Sequence, residues 1–390
     1  MIPYGKHHID DEDVQAVIDV LKSGALTQGP TVEAFEQAIA RYVGAKYAIA
    51  VSSGTAALHL AACVAGVGPG NTLITSPITF AASANAGLYV GGDVAFADID
   101  PDTVNMSPLA LEKTLESHPN TKAVIPVHFA GLPCDMPALK TLADNAGAVV
   151  IEDAAHALGA SHSDGHRVGS CEFSLMTIFS FHPVKAIGAG EGGMITTNDE
   201  TVYRRLLRLR SHGINKLDDP LQLPEEAETN GTRNPWYYEM QELGFHYRIT
   251  DMQCGLALSQ LKKLDKFIAR RLALVKRYDL EFSVMQNCRP AQTSGREQSG
   301  HHLYVLRIDF PQLSFNRAQL MQELKSRGIG SQVHYIPVPN LPYYRRLGHS
   351  LKDHPNAQNY YQEALSIPLF YDLTDEQQDH VILAIKELVG

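Results

Sequence analysis

The chain of 390 residues carries 33 Lys and Arg against 43 Asp and Glu, a formal net charge of −10 and a pI near 5.9. That balance argues against nucleic acid as the main partner, because gripping a phosphate backbone needs a basic face. With 44% hydrophobic residues the chain can build a sizeable core, its length suggests two or three domains, and global disorder is excluded.

Met1-Ile-Pro-Tyr-Gly-Lys-His-His lacks the charged-then-apolar order of a secretory signal. Two short helical patterns follow. From Tyr47 to Gly92 no Asp, Glu, Lys or Arg occurs, but Gly66, Gly68, Pro69, Gly70 and Pro77 break the stretch well short of the ~20 apolar residues of a spanning helix. It reads as buried core, and no membrane partner is expected. Within it Lys46–Val51 predicts a strand, Thr55 to Ala65 a helix, Thr72–Thr75 a strand, and the residues after Phe80 a helix. The alternation goes on with a strand at Val94–Ala97, a helix near Leu109–Leu115, a strand at Ala123–Val127, a helix from Pro137 to Ala146, and a strand at Ala148–Ile151 that ends in Glu152-Asp153. Strands separated by helices of this length mean βαβ units and a mainly parallel sheet, with ligands at the carboxyl ends of its strands.

Leu175–Phe181 and Gly193–Thr197 predict two more strands around a polar loop from Pro183 to Glu191, a candidate site element. Between Ser211 and Arg248 the pattern fails, and Asp218-Asp-Pro220, Glu225-Glu226, Asn230-Gly231 and Asn234-Pro235 predict an exposed excursion. One long helical pattern through Leu256, Leu261, Leu264, Ile268, Leu272 and Val275 then leads to a second unit. That unit holds a strand at His302–Ile308, a helix at Arg317–Ser326 capped by Asn316, and a last helix capped by Thr374 with Gln377 three residues on. The expected division is residues 1–255 and 256–390. Cys63, Cys134, Cys171, Cys254 and Cys288 are widely spaced, odd in number and free of any C-x-x-C pair, which points to a reducing compartment, the cytoplasm.

The strongest chemical cluster is Ile151-Glu-Asp-Ala-Ala-His156 with Ser180-Phe-His-Pro-Val-Lys185. An aspartate ending a buried strand, and a lysine in a loop after another such strand, suit pyridoxal phosphate. The lysine must supply a neutral amine for covalent attachment, and the carboxylate must keep the pyridine nitrogen protonated so that the ring accepts electrons. The bland alternatives are a helix cap for Asp153 and a solvated loop lysine for Lys185. Ser52-Ser-Gly-Thr-Ala56 lies between a strand and a helix start, where backbone N–H groups face an anion, so a phosphate fits there. Gly66-Val-Gly-Pro-Gly70 follows a helix instead of opening one and is no dinucleotide loop. His156, His162 and His166 raise the question of a metal, but their spacing suits no zinc site and a loop of surface histidines is the expected account; no metal is expected.

The segments Leu26-Thr-Gln-Gly-Pro30, Ser53-Gly-Thr-Ala-Ala-Leu58, Glu152–His156, Phe179–Lys185, Gly190-Glu-Gly-Gly193 and Tyr247-Arg-Ile-Thr-Asp251 resemble the nucleotide-sugar aminotransferases of the DegT/DnrJ/EryC1/StrS family. The likeness covers nearly the whole chain. Ser180–Lys185, His302-Leu-Tyr304 and Gly330–Tyr335 are most similar to the branch that serves pseudaminic acid biosynthesis.

The resemblance implies a fold type I pyridoxal phosphate enzyme, an α/β large domain with a mainly parallel central sheet plus a smaller α+β C-terminal domain. It implies a homodimer with shared active sites. Lys185 would match the cofactor lysine, Asp153 the pyridinium partner, His156 the neighbour of the phenolic oxygen, and Gly54, Thr55 and Ser180 the phosphate cradle. Phe80 would lie on the ring face, the alternative being plain core. Arg248 matches a residue supplied by the neighbouring subunit, although His246 stands where many relatives carry Asn. Tyr4, Leu26, Thr27, His334 and Tyr335 match regions lining the sugar-nucleotide site. The implied reaction moves an amino group from L-glutamate to C4 of a UDP-linked 4-keto-6-deoxy-N-acetylhexosamine. The alternatives are another 4-keto sugar nucleotide, of 4-keto-arabinose or 4-keto-N-acetylglucosamine type, or a non-catalytic cofactor-binding or regulatory protein.

Overall fold

In the computed structural model, residues 1–215 and 219–390 are described, so Asp218 of the expected excursion lies outside them. Helices α1 (Asp11–Lys22) and α2 (Pro30–Val43) come first, the one capped by Asp10, the other opened by Pro30 and closed by Gly44 in the left-handed region. There follow β1 (Tyr47–Val51), α3 (Gly54–Val64), β2 (Thr72–Thr75), α4 (Ala81–Tyr89), β3 (Asp93–Phe96), α5 (Pro108–Ser117), β4 (Thr121–Ile125), α6 (Met136–Asn145), β5 (Val149–Asp153), β6 (Met176–Ser180), β7 (Gly193–Thr197) and α7 (Glu200–Arg210). Ser53, Ser107, Asp135 and Asp199 cap α3, α5, α6 and α7 with their side chains, so these helices begin where the polar residue meets the apolar run.

The seven strands form one sheet in the order β1-β7-β6-β5-β4-β2-β3. Only β7 runs against its neighbours, pairing antiparallel with both β1 and β6. The other six therefore point the same way, and both sheet faces are packed, one under α3, α4 and α7, with a separate cluster gathering around Phe35, Ile39, Cys254 and Leu261. Beyond α7 the excursion is irregular among the described residues, holding only a small hairpin of β8 (Glu228–Thr229) and β9 (Thr232–Arg233) and exposing Trp236, Tyr238, Met240 and Leu243.

The long helical pattern is broken in two, α8 (Asp251–Leu261) and α9 (Leu264–Phe282). The apolar period continues across Lys262-Lys263, but the Lys263 ammonium is drawn to Asp10 and Asp13, at 2.6 and 2.8 Å, and Gln260 donates to Asp13 Oδ2 at 2.6 Å. These contacts tie the joint to the start of α1. The last unit comprises β10 (Cys288–Pro290), β11 (Tyr304–Ile308), α10 (Arg317–Ser326), α11 (Pro342–Arg346), α12 (Pro355–Glu363), β12 (Ala364–Ile367) and α13 (Asp375–Val389), with β10, β11 and β12 in an antiparallel sheet. Leu261 and Leu264 belong to the core around α2, whereas Leu274, Val275, Tyr278 and Phe282 belong to that of the last unit. We propose that the passage between units runs along α9, later than residue 256.

Candidate active site

The carboxyl ends of β5 and β6 and the starts of α3 and α4 open into one cavity of about 410 Å³. Gly54, Thr55, Asp153, Ser180 and Lys185 line it from the large sheet and its loops. Tyr4, Phe80, His156, His334 and Tyr335 close it from the other sides.

Because strand residues alternate, Ile151 and Asp153 share the face of β5 that packs toward α3 and α4, and Glu152 faces the other way. Asp153 Oδ2 accepts the Ser83 hydroxyl at 2.6 Å and Oδ1 the Ala155 N–H at 3.1 Å. No helix starts at Asp153, so the helix-cap alternative gives way to a turn at the end of a strand. Lys185 stands in the loop between β6 and β7, half-buried, its backbone N–H donating to His182 O at 2.8 Å. Its amine has no hydrogen-bond partner among the described residues. Desolvation lowers it to about 8 against the opposing pull of the Asp153 charge. A solvated surface lysine would show neither feature.

Ser53 Oγ accepts the Ala56 N–H at 3.1 Å, while the N–H groups of Gly54 and Thr55, in the first turn of α3, have no intrahelical partner, and both residues line the cavity. Glycine is required here by proximity. A Cβ on Gly54 would stand 3.0 Å from Ser180 Cβ, and one on Gly193 would stand 2.4 Å from Ser53 O.

His156 is buried; its Nε2 meets the Tyr335 hydroxyl at 3.0 Å, and its Nδ1 is buried with no partner. Burial, then the charges of Lys185 and His334, push its proton affinity well below that of an ordinary histidine, so the ring is neutral. In the tautomer in which the Tyr335 O–H donates to Nε2, the proton is on Nδ1, which is then an unused donor. Phe80 is 63% exposed and its ring lies 6.3 Å from that of Tyr335, which removes the plain-core alternative. His334 Nδ1 is held by Ser366 Oγ at 2.8 Å.

Leu26, Thr27 and Arg248 do not line this cavity. Thr27 bridges to Thr250, and the Asp251 N–H donates to Leu26 O at 3.0 Å, so the three cluster beside the start of α8. Arg248 is half-buried and forms no ion pair among the described residues.

Sequence reasoning missed Thr79, Ser83 and His302, all of which line the cavity. Ser83 stands three residues after Phe80 on the same side of α4, a spacing that was available. His302 is buried with its ring 4.3 Å from that of His156. The expectation of surface histidines is corrected: His166 is exposed, but His162 is buried. The reason is Glu152, fully buried beneath Asp153, whose carboxylate lies 3.3 Å from His162 Nε2 and 2.8 Å from His128 Nε2. Among the described residues no group of three or more His, Cys, Asp or Glu side chains is arranged to hold a metal ion.

The model of the DegT/DnrJ/EryC1/StrS aminotransferase family matches residues 7–386. The spore coat polysaccharide biosynthesis protein SpsC of Bacillus subtilis is 40% identical over 390 residues, covering 100% of this chain and 97% of its own. Helicobacter pylori PseC, an aminotransferase involved in the biosynthesis of pseudaminic acid, superposes with a TM-score of 0.88 at 29% identity, covering 100% of this chain and 99% of its own. Spr1654 of Streptococcus pneumoniae in its pyridoxal phosphate form gives a TM-score of 0.88 at 30% identity, covering 100% and 98%.

Proposed function

The chain belongs to the DegT/DnrJ/EryC1/StrS aminotransferase family, and from that premise we propose that it transfers an amino group from L-glutamate to C4 of a UDP-linked 4-keto-6-deoxy-N-acetylhexosamine, giving UDP-4-amino-4,6-dideoxy-N-acetyl-β-L-altrosamine. That it is a sugar aminotransferase using pyridoxal phosphate follows from its family and structural relatives; the sugar is the further step. The observation that carries it is the single cavity in which Asp153, Lys185 and the first turn of α3 converge, in a fold shared with PseC.

The residues present fit the cofactor. The unused N–H groups of Gly54 and Thr55, beside the Ser180 hydroxyl, suit its phosphate; the orphaned His156 Nδ1 suits its phenolic oxygen; and the Asp153 carboxylate suits its ring nitrogen. When bound, pyridoxal phosphate supplies an aldehyde that can carry the amino group and a ring that takes up electrons from the substrate carbon. Phe80 and Tyr335 bound the ring space. Lys185, lowered to about 8, is half neutral at that pH, so it can take a proton from the donor carbon and return one to the product side. Neutral His156 contributes a hydrogen bond without a second positive charge beside that amine.

Arg248, Leu26 and Thr27 lie off the cavity, which supports a homodimer in which the second subunit brings this patch to the site. A reducing compartment, the cytoplasm, suits the five free cysteines; no helix among the described residues is long and apolar enough to cross a membrane. A neighbouring reading, amination of a different 4-keto sugar nucleotide, is kept because SpsC, 40% identical, is named for spore coat polysaccharide biosynthesis, whereas PseC, 29% identical, is named for pseudaminic acid. The test is incubation of the purified protein with glutamate and a panel of UDP-linked and other 4-keto sugar nucleotides, with product configuration assigned by NMR. Amination of the N-acetylhexosamine at C4 with the altro configuration supports the reading. Faster turnover of a 4-keto-arabinose or 4-keto-N-acetylglucosamine type substrate overturns it.

A further inference from the structure

We propose that Thr79 and Ser83 form a one-way hydroxyl relay that positions the Asp153 carboxylate for the ring nitrogen of the cofactor. The proposal rests on the reading of Asp153 as the ring-nitrogen partner. Ser83 Oγ lies 2.6 Å from Asp153 Oδ2, and Thr79 Oγ1 lies 2.7 Å from Ser83 Oγ. All three side chains are buried, at 2%, 0% and 5% exposure for Thr79, Ser83 and Asp153. A carboxylate only accepts, so the single Ser83 proton goes to Asp153. The hydrogen bond between the hydroxyls then has only one direction left, with Thr79 donating to Ser83. Each donor polarises the next, and in a dry site such a chain gains strength from one link to another. The whole arrangement is matched to a charged carboxylate.

The same turn of chain also sets Phe80, which lies between the two hydroxyl residues at the start of α4. Thr79 and Ser83 therefore bind the wall over the ring face and the acceptor at the ring nitrogen into one rigid piece. The start of α4 adds its positive end to the Asp153 side of the cavity. Oδ1 is held separately by the Ala155 N–H at 3.1 Å, so the carboxylate plane is fixed from two directions. Thr79 and Ser83 are positioning residues; neither is assigned to the reacting atoms.

Loss of the Ser83 hydroxyl leaves the carboxylate less stabilised, and the proton shared with the ring nitrogen then moves toward Asp153. The experiment loads the protein with cofactor labelled with ¹⁵N in the ring and records the nitrogen resonance, with steady-state kinetics alongside, for Ser83→Ala, Thr79→Val, Thr79→Ser and Asp153→Asn. Thr79→Val keeps the shape and removes the donor, so it decides the matter should Ser83→Ala not fold. Expected are a resonance moved toward unprotonated pyridine in Ser83→Ala and Thr79→Val, with kcat down about tenfold and about threefold, the weight of a charge-assisted hydrogen bond and of its support. The donor KM stays within about twofold, as for an interaction made mainly in the transition state, and Thr79→Ser keeps the parent values. An unmoved resonance in Thr79→Val overturns the relay. If Asp153→Asn itself leaves the resonance unmoved, the reading of Asp153 fails instead, so the two failures are told apart.

Discussion

Replacing Glu152 by Gln tests the packing beneath the site without touching the cavity. The Glu152 carboxylate accepts Ser174 Oγ at 2.5 Å and Thr177 Oγ1 at 3.0 Å and faces His128 Nε2 at 2.8 Å and His162 Nε2 at 3.3 Å. His128 Nδ1 already accepts the Cys134 N–H at 3.1 Å, so its proton is on Nε2 and points at Glu152. An amide offers one oxygen and two N–H donors, so half of this donor shell would face a donor. Two charge-assisted hydrogen bonds lost in a dry interior cost about 3 kcal/mol. Spread over 390 residues at about 2.1 cal/mol/K each, that lowers Tm by about 4 °C. The assay is calorimetry of the cofactor-free protein, so that ligand binding adds nothing to the folded state. Desolvation pushes the Glu152 carboxyl up, but the hydrogen bonds to His128 and His162 outweigh it and hold the group well below the usual carboxylate range. A carboxyl lowered on folding contributes stability above its unfolded pKa of about 4.5 and loses it as the pH falls toward the folded value. The gap between parent and variant should therefore be full at pH 6 to 8 and narrow below about pH 4.5. A Tm within about 1 °C of the parent at pH 7, or a gap that widens on acidification, refutes the reasoning.

Lys185→Ala should fold, because the residue lies in a loop, yet lose covalent cofactor attachment and turnover; borohydride-resistant release of the cofactor checks this, and trapping at another lysine would contradict it. In the parent, cofactor uptake by the apoprotein should rise with pH around a midpoint near 8, set by the amine lowered to about 8, and a midpoint near that of a free lysine would show that desolvation is not at work. Gly193→Ala places a methyl 2.4 Å from Ser53 O and should displace the first turn of α3, weakening cofactor retention at least about tenfold by equilibrium dialysis. Mixing inactive Lys185→Ala and Arg248→Ala subunits should restore part of the activity if Arg248 acts across a dimer; no recovery after confirmed subunit exchange places it in its own subunit or outside the site.

Much of this site was legible because strands buried on both faces announce themselves as apolar runs. Where such a run stops in Glu152-Asp153, the end of a strand and the carboxylate that lines the cavity coincide. The proposed phosphate seat was readable for a similar reason, since Ser53 both caps α3 and marks the turn after β1. What stayed hidden depends on the pleat and on distant partners. Glu152 and Asp153 are neighbours in sequence with opposite surroundings, and nothing local says that His128 and His162 converge on the first. The break at Lys262-Lys263 was invisible because two good helix formers sit inside an unbroken apolar period, and the joint is held by His8, Asp10 and Asp13, far back in the chain. Ser83 escaped notice as a small residue in a helix of small residues.

The antiparallel strand in an otherwise parallel sheet has a consequence for how such a site can change. Ser180 pairs with Gly193, and Gly193 pairs with Val51. The loop bearing Lys185 thus leaves and re-enters the sheet on a single row, beside the turn proposed to seat the anion. Its two ends are clamped to each other, as in a hairpin, so an added or deleted residue in the loop need not slide any strand. Such a change would alter the reach of the amine while the anion seat stayed in register, and lengthening a closed loop by a residue costs little entropy. Amine and anchor are in that sense separately adjustable parts. A series of one-residue insertions after Gly188 would vary the distance between them on an otherwise constant frame.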